Sequence, residues 1–385
     1  MGDDFSLVLG GPLYQLYLRT RLARPPLELV WRRIVAFVVV TLVPPAVLSA
    51  LTGRFASGPT PFVCDLTNLQ FVTTLPLLVL AELVVHGRLR AIVPEFVKRN
   101  LVTGEDRSRF EEIVAGVMRV RNSLVAEVVL LLVAFTGGYW LWRTYASLRA
   151  PTWYMVPVGG SMHLTAAGWW LAFVSLPISR FLLLRWYFRL FLWYALLWRA
   201  SRLRLKLNAL HADRAAGLEF LEHSVMAFAL VLLAQSAFFA LMLGSRIWHE
   251  GAKVSDFADE IVAVVVFLVV VVLLPLTFFA GQLRDARLRE SRRYGRLATR
   301  YADSFDQKWI APGASCAEPL LGTSDIQSLS DLANSYDVVR TTRLVPFGKA
   351  TIVRLAVCIA LPLVALAFTT IPVDKLVAAL VNAFV

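Results

Sequence analysis

The stretch FADEIVAVVVFLVVVVLLPLTFFAGQLRDARLRESRR (257–293) decides the fold. Its first part, Phe257–Ala280, is almost wholly apolar. A bilayer core of roughly 30 Å needs about 20 such residues in a helix. Its second part turns at once to Arg284, Arg287, Arg289, Arg292 and Arg293. A membrane span therefore runs straight into an arginine-rich helix on one side of the bilayer.

The rest of the chain repeats this grammar. Of 385 residues, 58% are apolar and 17% charged, against roughly 45–50% and about 25% in soluble domains. That excludes an ordinary soluble enzyme, a disordered chain and a collagen. Three cysteines cannot build a disulfide framework. Further apolar stretches of spanning length lie at Ile34–Gly53, Asn68–His86, Ser123–Trp142, from near Leu164, Ser224–Trp248 and Ala350–Ile371. Seven spans are expected. Residues 1–30 show no long apolar core and no small-residue cleavage site, so the first span is expected to be an uncleaved anchor.

Lys and Arg mark the cytoplasmic side. Arg19, Arg21, Arg24, Arg32 and Arg33 precede span 1, and the loop after span 2 carries eight more between Arg88 and Arg121. Arg199, Arg202, Arg204, Lys206 and Arg214 follow span 4, and residues 281–349 carry the longest basic run. The alternate loops hold only Arg54, Arg143, Arg149, Arg246, Lys253 and Lys375. The expectation is a cytoplasmic amino terminus and an external carboxyl terminus in an inner membrane. The +12 net charge then reflects contact with the bilayer and its anionic lipid headgroups. No nucleic-acid motif competes with that reading.

The fourth segment is unusually long. Its apolar pattern continues from Leu164 to Trp198, broken by Pro177, Arg180, Arg185 and Arg189. Two spans there would reverse every later loop, so one helix over 164–206, kinked at Pro177, is expected. Its lower half should follow the cytoplasmic interface, with snorkelling arginines and Trp186, Tyr187, Trp193, Tyr194 and Trp198 at headgroup level. Amphipathic patterns at 92–101 and 110–118, separated by Thr103-Gly104, predict two cytoplasmic helices or one broken helix, with a Ser108/Glu111 capping box. Residues 282–309 extend span 6 as a charged helix, and another helix opens at Ser324 with Gln327 in a capping-box pattern. The expected organisation is a cytoplasmic amphipathic segment over 1–33, a hairpin over 34–86 and amphipathic helices over 87–122. A bundle over 123–280, a basic helical region over 281–349 and a last helix with a short tail over 350–385 complete it.

The stretch EPLLGTSDIQSLSDLANSYDVVRTTRLVPFGK (318–349) resembles the tail of an uncharacterised family of bacterial multi-spanning membrane proteins, and the loop HADRAAGLEFL (211–221) is similar to that family as well. The resemblance implies a bacterial inner-membrane location and no activity. The family's loop often has Pro at the position of Ala212 and Gly at that of Glu219, which argues against Glu219 as a family-wide ligand.

Ionisable groups inside a membrane are functional candidates by default. Glu82, Glu127 and Arg180 fall at similar depth toward the cytoplasmic side. They are expected to form one Glu–Arg–Glu cluster, read either as a polar constriction or as an ion pair fixing helix register. Gln235 sits in the middle of span 5, where an amide lines a pore or bonds a neighbouring helix. Ser236, Ala240 and Gly244 make a small-residue stripe on the same helix, which favours packing. At the interface, His211, Asp213, Arg214, Glu222 and His223 gather before span 5. A metal set of His211, Asp213, Glu219 and His223 has no HExxH or cysteine pair behind it, so an interfacial helix start is favoured. Gly159-Gly160-Ser161-Met162-His163 lacks a full nucleophile elbow and is expected to be a loop with Ser161 as a helix cap. His249, Glu250, Asp256, Asp259 and Glu260 form an acidic external patch.

The sequence thus predicts an all-α polytopic bundle with a helical cytoplasmic layer, no catalytic set, no cofactor and no disulfide. A channel or transporter for a small ion or solute, as a homo-oligomer, is the leading functional expectation. A membrane scaffold or sensor acting through the basic region is the alternative.

Overall fold

The computed structural model describes residues 5–141, 151–158, 161–250, 252–311 and 323–370. The chain is an all-α helical bundle. Its helices are α1 (Pro12–Arg19), α2 (Val30–Leu51), α3 (Thr74–Ile92), α4 (Glu95–Lys98), α5 (Glu105–Arg121) and α6 (Leu124–Leu141). After a two-stranded hairpin, β1 (Met155–Val158) and β2 (Ser161–Leu164), come α7 (Ala166–Trp170), α8 (Leu176–Ala200), α9 (Glu222–Ala227) and α10 (Ala229–Glu250). The last four are α11 (Ala258–Leu273), α12 (Ala280–Trp309), α13 (Ser324–Thr341) and α14 (Lys349–Thr370).

Six helical stretches are long and apolar enough to cross a membrane, and α6 makes a seventh when joined to α5 across a 48° bend. The protein is a multi-pass membrane protein. Val35, Val39, Val43 and Val47 on α2, Val125, Val129 and Leu132 on α6, and Val353, Val357 and Leu361 on α14 all face outward. In water such faces would be untenable; in lipid they are the solvent-exposed surface. The small stripe of α10 packs on α14: the Ser236 hydroxyl donates to the Ile359 carbonyl, and a Cβ added at Gly244 would lie 3.1 Å from Leu366. Cys64 and Cys358 are free; Cys316 lies outside the described residues.

The fourth segment is one helical stretch from Ala166 to Ala200. A π-turn at Leu171–Ser175 joins α7 to α8. It sits just before Pro177, whose missing N–H cannot serve the Phe173 carbonyl. Several side chains expected at headgroup level turn into the bundle instead. Arg185, Trp186, Arg189 and Trp193 are buried, and Trp186 Nε1 donates to the Leu78 carbonyl at 3.0 Å. Tyr187 and Trp198 remain partly exposed. The reason is that α8 is the bundle's central strut, packed on α3, α5 and α6.

The same helical stretch, Ala166–Ala200, also repairs the prolines of its neighbours. Pro44 and Pro45 inside α2 leave the carbonyls of Val40 and Thr41 without their helical N–H donors. Trp170 Nε1 donates to Val40 O at 3.0 Å and Ser175 Oγ to Thr41 O at 2.7 Å. Pro275, after α11, likewise frees Val271 O, and the Tyr194 hydroxyl donates to it. Within lipid no water could do this.

Beyond the bundle, α12 continues from α11 through a short 3₁₀ turn at Leu274–Phe279. At 1.5 Å per residue it reaches about 45 Å. The antiparallel α13 returns along it, with Lys308 Nζ and Trp309 Nε1 donating to Asp325 at 2.8 and 3.0 Å. Three expected caps differ. Glu105 begins α5 after Gly104, and Ser108 bonds back to the Glu105 carbonyl instead of capping. Thr323 occupies the cap position of α13, and Gln327 reaches Asp331. At the hairpin, Thr165 rather than Ser161 caps α7, accepting from Gly168 N. Gly168 is required there, since a Cβ would lie 2.1 Å from the Tyr154 carbonyl oxygen.

Candidate functional site

The first turns of two helices converge on the middles of two others, near the arginine-rich segment before α2. Arg33 lies in the first turn of α2 and Glu127 in the first turn of α6. Glu82 comes from α3, and Arg185 and Arg189 from successive turns of α8. Their i, i+4 spacing puts both guanidiniums on one helix face. Glu82 receives Arg33 on Oε2 and Arg189 on Oε1 at 2.8 Å, with Arg185 at 3.8 Å. Arg185 also reaches Glu127 at 3.2 Å. All five side chains are buried, Arg33 completely.

The amino-terminal segment closes this cluster. Phe5, Leu7, Val8, Tyr17 and Leu27 are buried beneath it. Leu13 N donates to Glu127 Oε2 at 2.9 Å and Gly11 N to Asn122 Oδ1 at 3.0 Å. Arg121 donates to the Ser6 carbonyl, and Ser6 Oγ lies 2.9 Å from His86 Nδ1. The Tyr17 ring lies 5.6 Å from the Arg33 guanidinium. Gly11 makes the contact feasible, with φ 83° and a virtual Cβ only 2.9 Å from Glu127 Oε1. Residues 5–29 therefore form a plug folded into the bundle, not a segment lying apart from it.

The two predicted carboxylates do meet, through Arg185, but Arg180 is not their partner. Arg180 precedes Arg185 by five residues, about 140° round the helix and about 7.5 Å along it. Its guanidinium stacks on Phe238 at 4.6 Å instead. The reading of Arg185 and Arg189 as snorkelling residues hid them, and Arg33 was hidden among the arginines before span 1. Their signal was the i, i+4 pair within an otherwise apolar helix.

Gln235 donates to the Tyr187 hydroxyl, an interhelical bond from α10 to α8. The interfacial loop is a tied knot. Asp213 Oδ1 accepts from Ala215 N at 2.8 Å and Gly217 N at 3.1 Å, and Oδ2 from Glu219 N at 3.2 Å. His211 Nδ1 lies 3.0 Å from Asp213. Glu222 receives the Thr351 hydroxyl and lies 3.6 Å from Arg343, while the Arg214 carbonyl accepts from Arg343 N at 2.7 Å. The loop over 211–222 and the segment over 342–351 thus meet in space. Among the described residues no three His, Cys, Asp or Glu side chains converge, so His211, Asp213, Glu219 and His223 do not close on an ion. His223 joins no such group, and Asp213 is committed to the loop backbone.

At the opposite end, Ser161 Oγ lies 2.7 Å from His163 Nε2, on the strand of a hairpin. Asp256 accepts from Lys253 N at 2.9 Å and so serves a helix start. The side chains of His249 and Glu250 and the loop glycines 159–160 lie outside the described residues.

No family model matches the chain, and no match appears among curated proteins or solved structures.

Proposed function

We propose that this protein is an integral membrane channel or transporter for a small ion or solute, closed in this conformation by its amino-terminal plug. The location is a bacterial inner membrane, with the plug and α12 cytoplasmic and the end of α14 external. The observation that carries the reading is the Glu82 cluster. A bundle needs no buried ions for stability, since replacing buried pairs by apolar side chains is often neutral or stabilising. Five ionisable groups gathered between spanning helices, covered by an amino-terminal segment that packs onto them, suit a gate that re-pairs on opening. The test is flux in liposomes containing purified protein. Arg121→Gln loosens the plug without touching the cluster, and it is expected to raise flux several-fold. Equal flux in wild type, Arg121→Gln and protein-free liposomes would sink the reading.

A second reading is favoured by α12 and α13. Arg292, Arg293, Arg296 and Arg300 are exposed on a rod projecting from the bundle. This suits a scaffold that recruits partners or anionic lipid. A groove of about 490 Å³ between α4 and α5, walled by Val97, Phe110, Val114 and Met118, is rimmed by Lys98, Arg107 and Arg119, with Glu111 beside Arg107. It fits an acyl chain under an anionic headgroup. Replacing the four rod arginines by Gln should abolish retention on vesicles rich in anionic lipid if the rod is the output. A second copy of the chain is the natural companion for the outward apolar faces, which cross-linking within the membrane would reveal.

A further inference from the structure

We propose that one anionic phospholipid of the surrounding bilayer binds in the groove between α4 and α5, and that its acyl chain latches the amino-terminal plug in place. The inference rests on the lipid-binding reading of this groove and deepens it by naming what the lipid regulates.

Phe110, Val114 and Met118 follow one another at four-residue spacing along α5, so they share one helix face. Val97 faces them from α4 and Phe5 from the plug, around a groove of about 490 Å³. That volume lies within the roughly 300–1,000 Å³ of small-molecule sites. Charge is confined to the rim, where Lys98, Arg107 and Arg119 are exposed. Glu111 is the single acid among the described lining residues, and it lies 3.4 Å from Arg107. Three cations therefore face one carboxylate around an apolar floor. A small soluble anion makes no use of that floor, and an uncharged lipid makes none of that rim.

The groove also lies where a lipid can reach it. Helix α5 runs into α6 across Asn122 and Ser123. Leu124 and Val125, at the start of α6, are 62% and 72% exposed, a surface that suits hydrocarbon. Met118 precedes Leu124 by six residues, about 9 Å along a helix. A lipid beside α6 can thus lay one chain along Met118 and Val114 while its phosphate meets the rim.

The residues that wall the groove also anchor the plug. Phe5 belongs to the plug itself, and Asn122, at the groove's edge, accepts from Gly11 N at 3.0 Å. Met118 Sδ lies 3.7 Å from Arg121 Nη1, which donates to the Ser6 carbonyl. A seated plug completes the groove, so a lipid that binds the completed groove stabilises the seated state.

The experiment follows amide exchange over residues 5–29 in full-length protein in neutral detergent. Dioleoyl phosphatidylglycerol or dioleoyl phosphatidylcholine is added at matched mole fractions. Phosphatidylglycerol should slow exchange there several-fold, and phosphatidylcholine should have little effect. Ala115→Trp fills the groove from an exposed position on α5, and the double variant Lys98→Gln, Arg119→Gln discharges its rim. Both should lose most of the slowing, whereas replacing the four rod arginines by Gln should keep it. Phosphatidylglycerol with a photoreactive chain end should attach within 93–97 or 110–118 in wild type, but not in Ala115→Trp. Equal slowing by the two lipids, slowing that survives both groove variants, or labelling only elsewhere overturns the site. Cross-links between two copies through the groove, in place of lipid adducts, overturn it as well. Labelling in the groove without slower exchange overturns the latch. Flux in liposomes is read separately, so a latched protein that passes no solute keeps this inference and removes the transport reading.

Discussion

Glu82 and Glu127 share one cluster but carry different loads. Glu82 faces three guanidiniums, whereas Glu127 faces one and a backbone N–H. Removing one member of a buried pair costs about 3–5 kcal/mol, because the partner charge is left uncompensated. Glu82→Gln should therefore lower the thermal midpoint far more than Glu127→Gln, and equal losses would show that Glu82 is not the hub. Gly11→Ala tests the plug at the same scale. The added methyl group would press on Glu127 Oε1 in a backbone region that disfavours alanine. Amide exchange over residues 5–29 should rise while the spans stay protected. At this scale the sequence was half legible. A carboxylate inside a span announces itself, but its partner is chosen by helix phase, and counting depth alone selected Arg180 over Arg185 and Arg189. Arg33 could not be distinguished from its basic neighbours before the plug was seen to fold back.

The elements were more legible than their contacts. The long fourth helix and the extension of span 6 into a charged helix follow from apolar runs and from charge. The reciprocity between prolines and α7–α8 does not, because it depends on which helix lies opposite a freed carbonyl. It makes a sharp prediction. Ser175→Ala should leave the Thr41 carbonyl orphaned and cost about 1 kcal/mol, the usual scale of such bonds in membranes. In a Pro45→Ala background α2 recovers its own N–H donor, and Ser175→Ala should then cost much less. A double-mutant cycle on thermal midpoints reads the coupling, and additive losses would dismiss the repair. The α12–α13 tip gives a pH dependence. Hydrogen bonds from Lys308 and Trp309 hold the Asp325 carboxyl below its ordinary value. A depressed carboxylate stabilises the folded form above the unfolded pKa of about 3.9 and loses that contribution as pH falls through the folded pKa. The tip should therefore begin to fray below about pH 4, as an acid-induced rise in exchange at residues 324–330 that Asp325→Asn shows at every pH.

For the whole molecule, the fold class was written in the alternation of apolar runs and arginine, since hydrocarbon forces both span length and the placing of charge. The folded-back amino-terminal segment was not, since Gly11 and Tyr17 matter only once the chain folds back onto α6 and α2. The same alternation yields a prediction that concerns every element together. Cys64 is free and exposed between α2 and α3, at the end of the bundle opposite α12. Sidedness therefore separates a native thiol from the basic rod by an odd number of crossings. A membrane-impermeant maleimide applied to intact spheroplasts should label Cys64 in a Cys316→Ser, Cys358→Ser background. A cysteine placed at Arg296, on the exposed face of α12, should label only in inverted vesicles. If both thiols react from one side, the bundle crosses between them an even number of times, and the plug and the charge cluster can no longer lie in series along one path through the membrane.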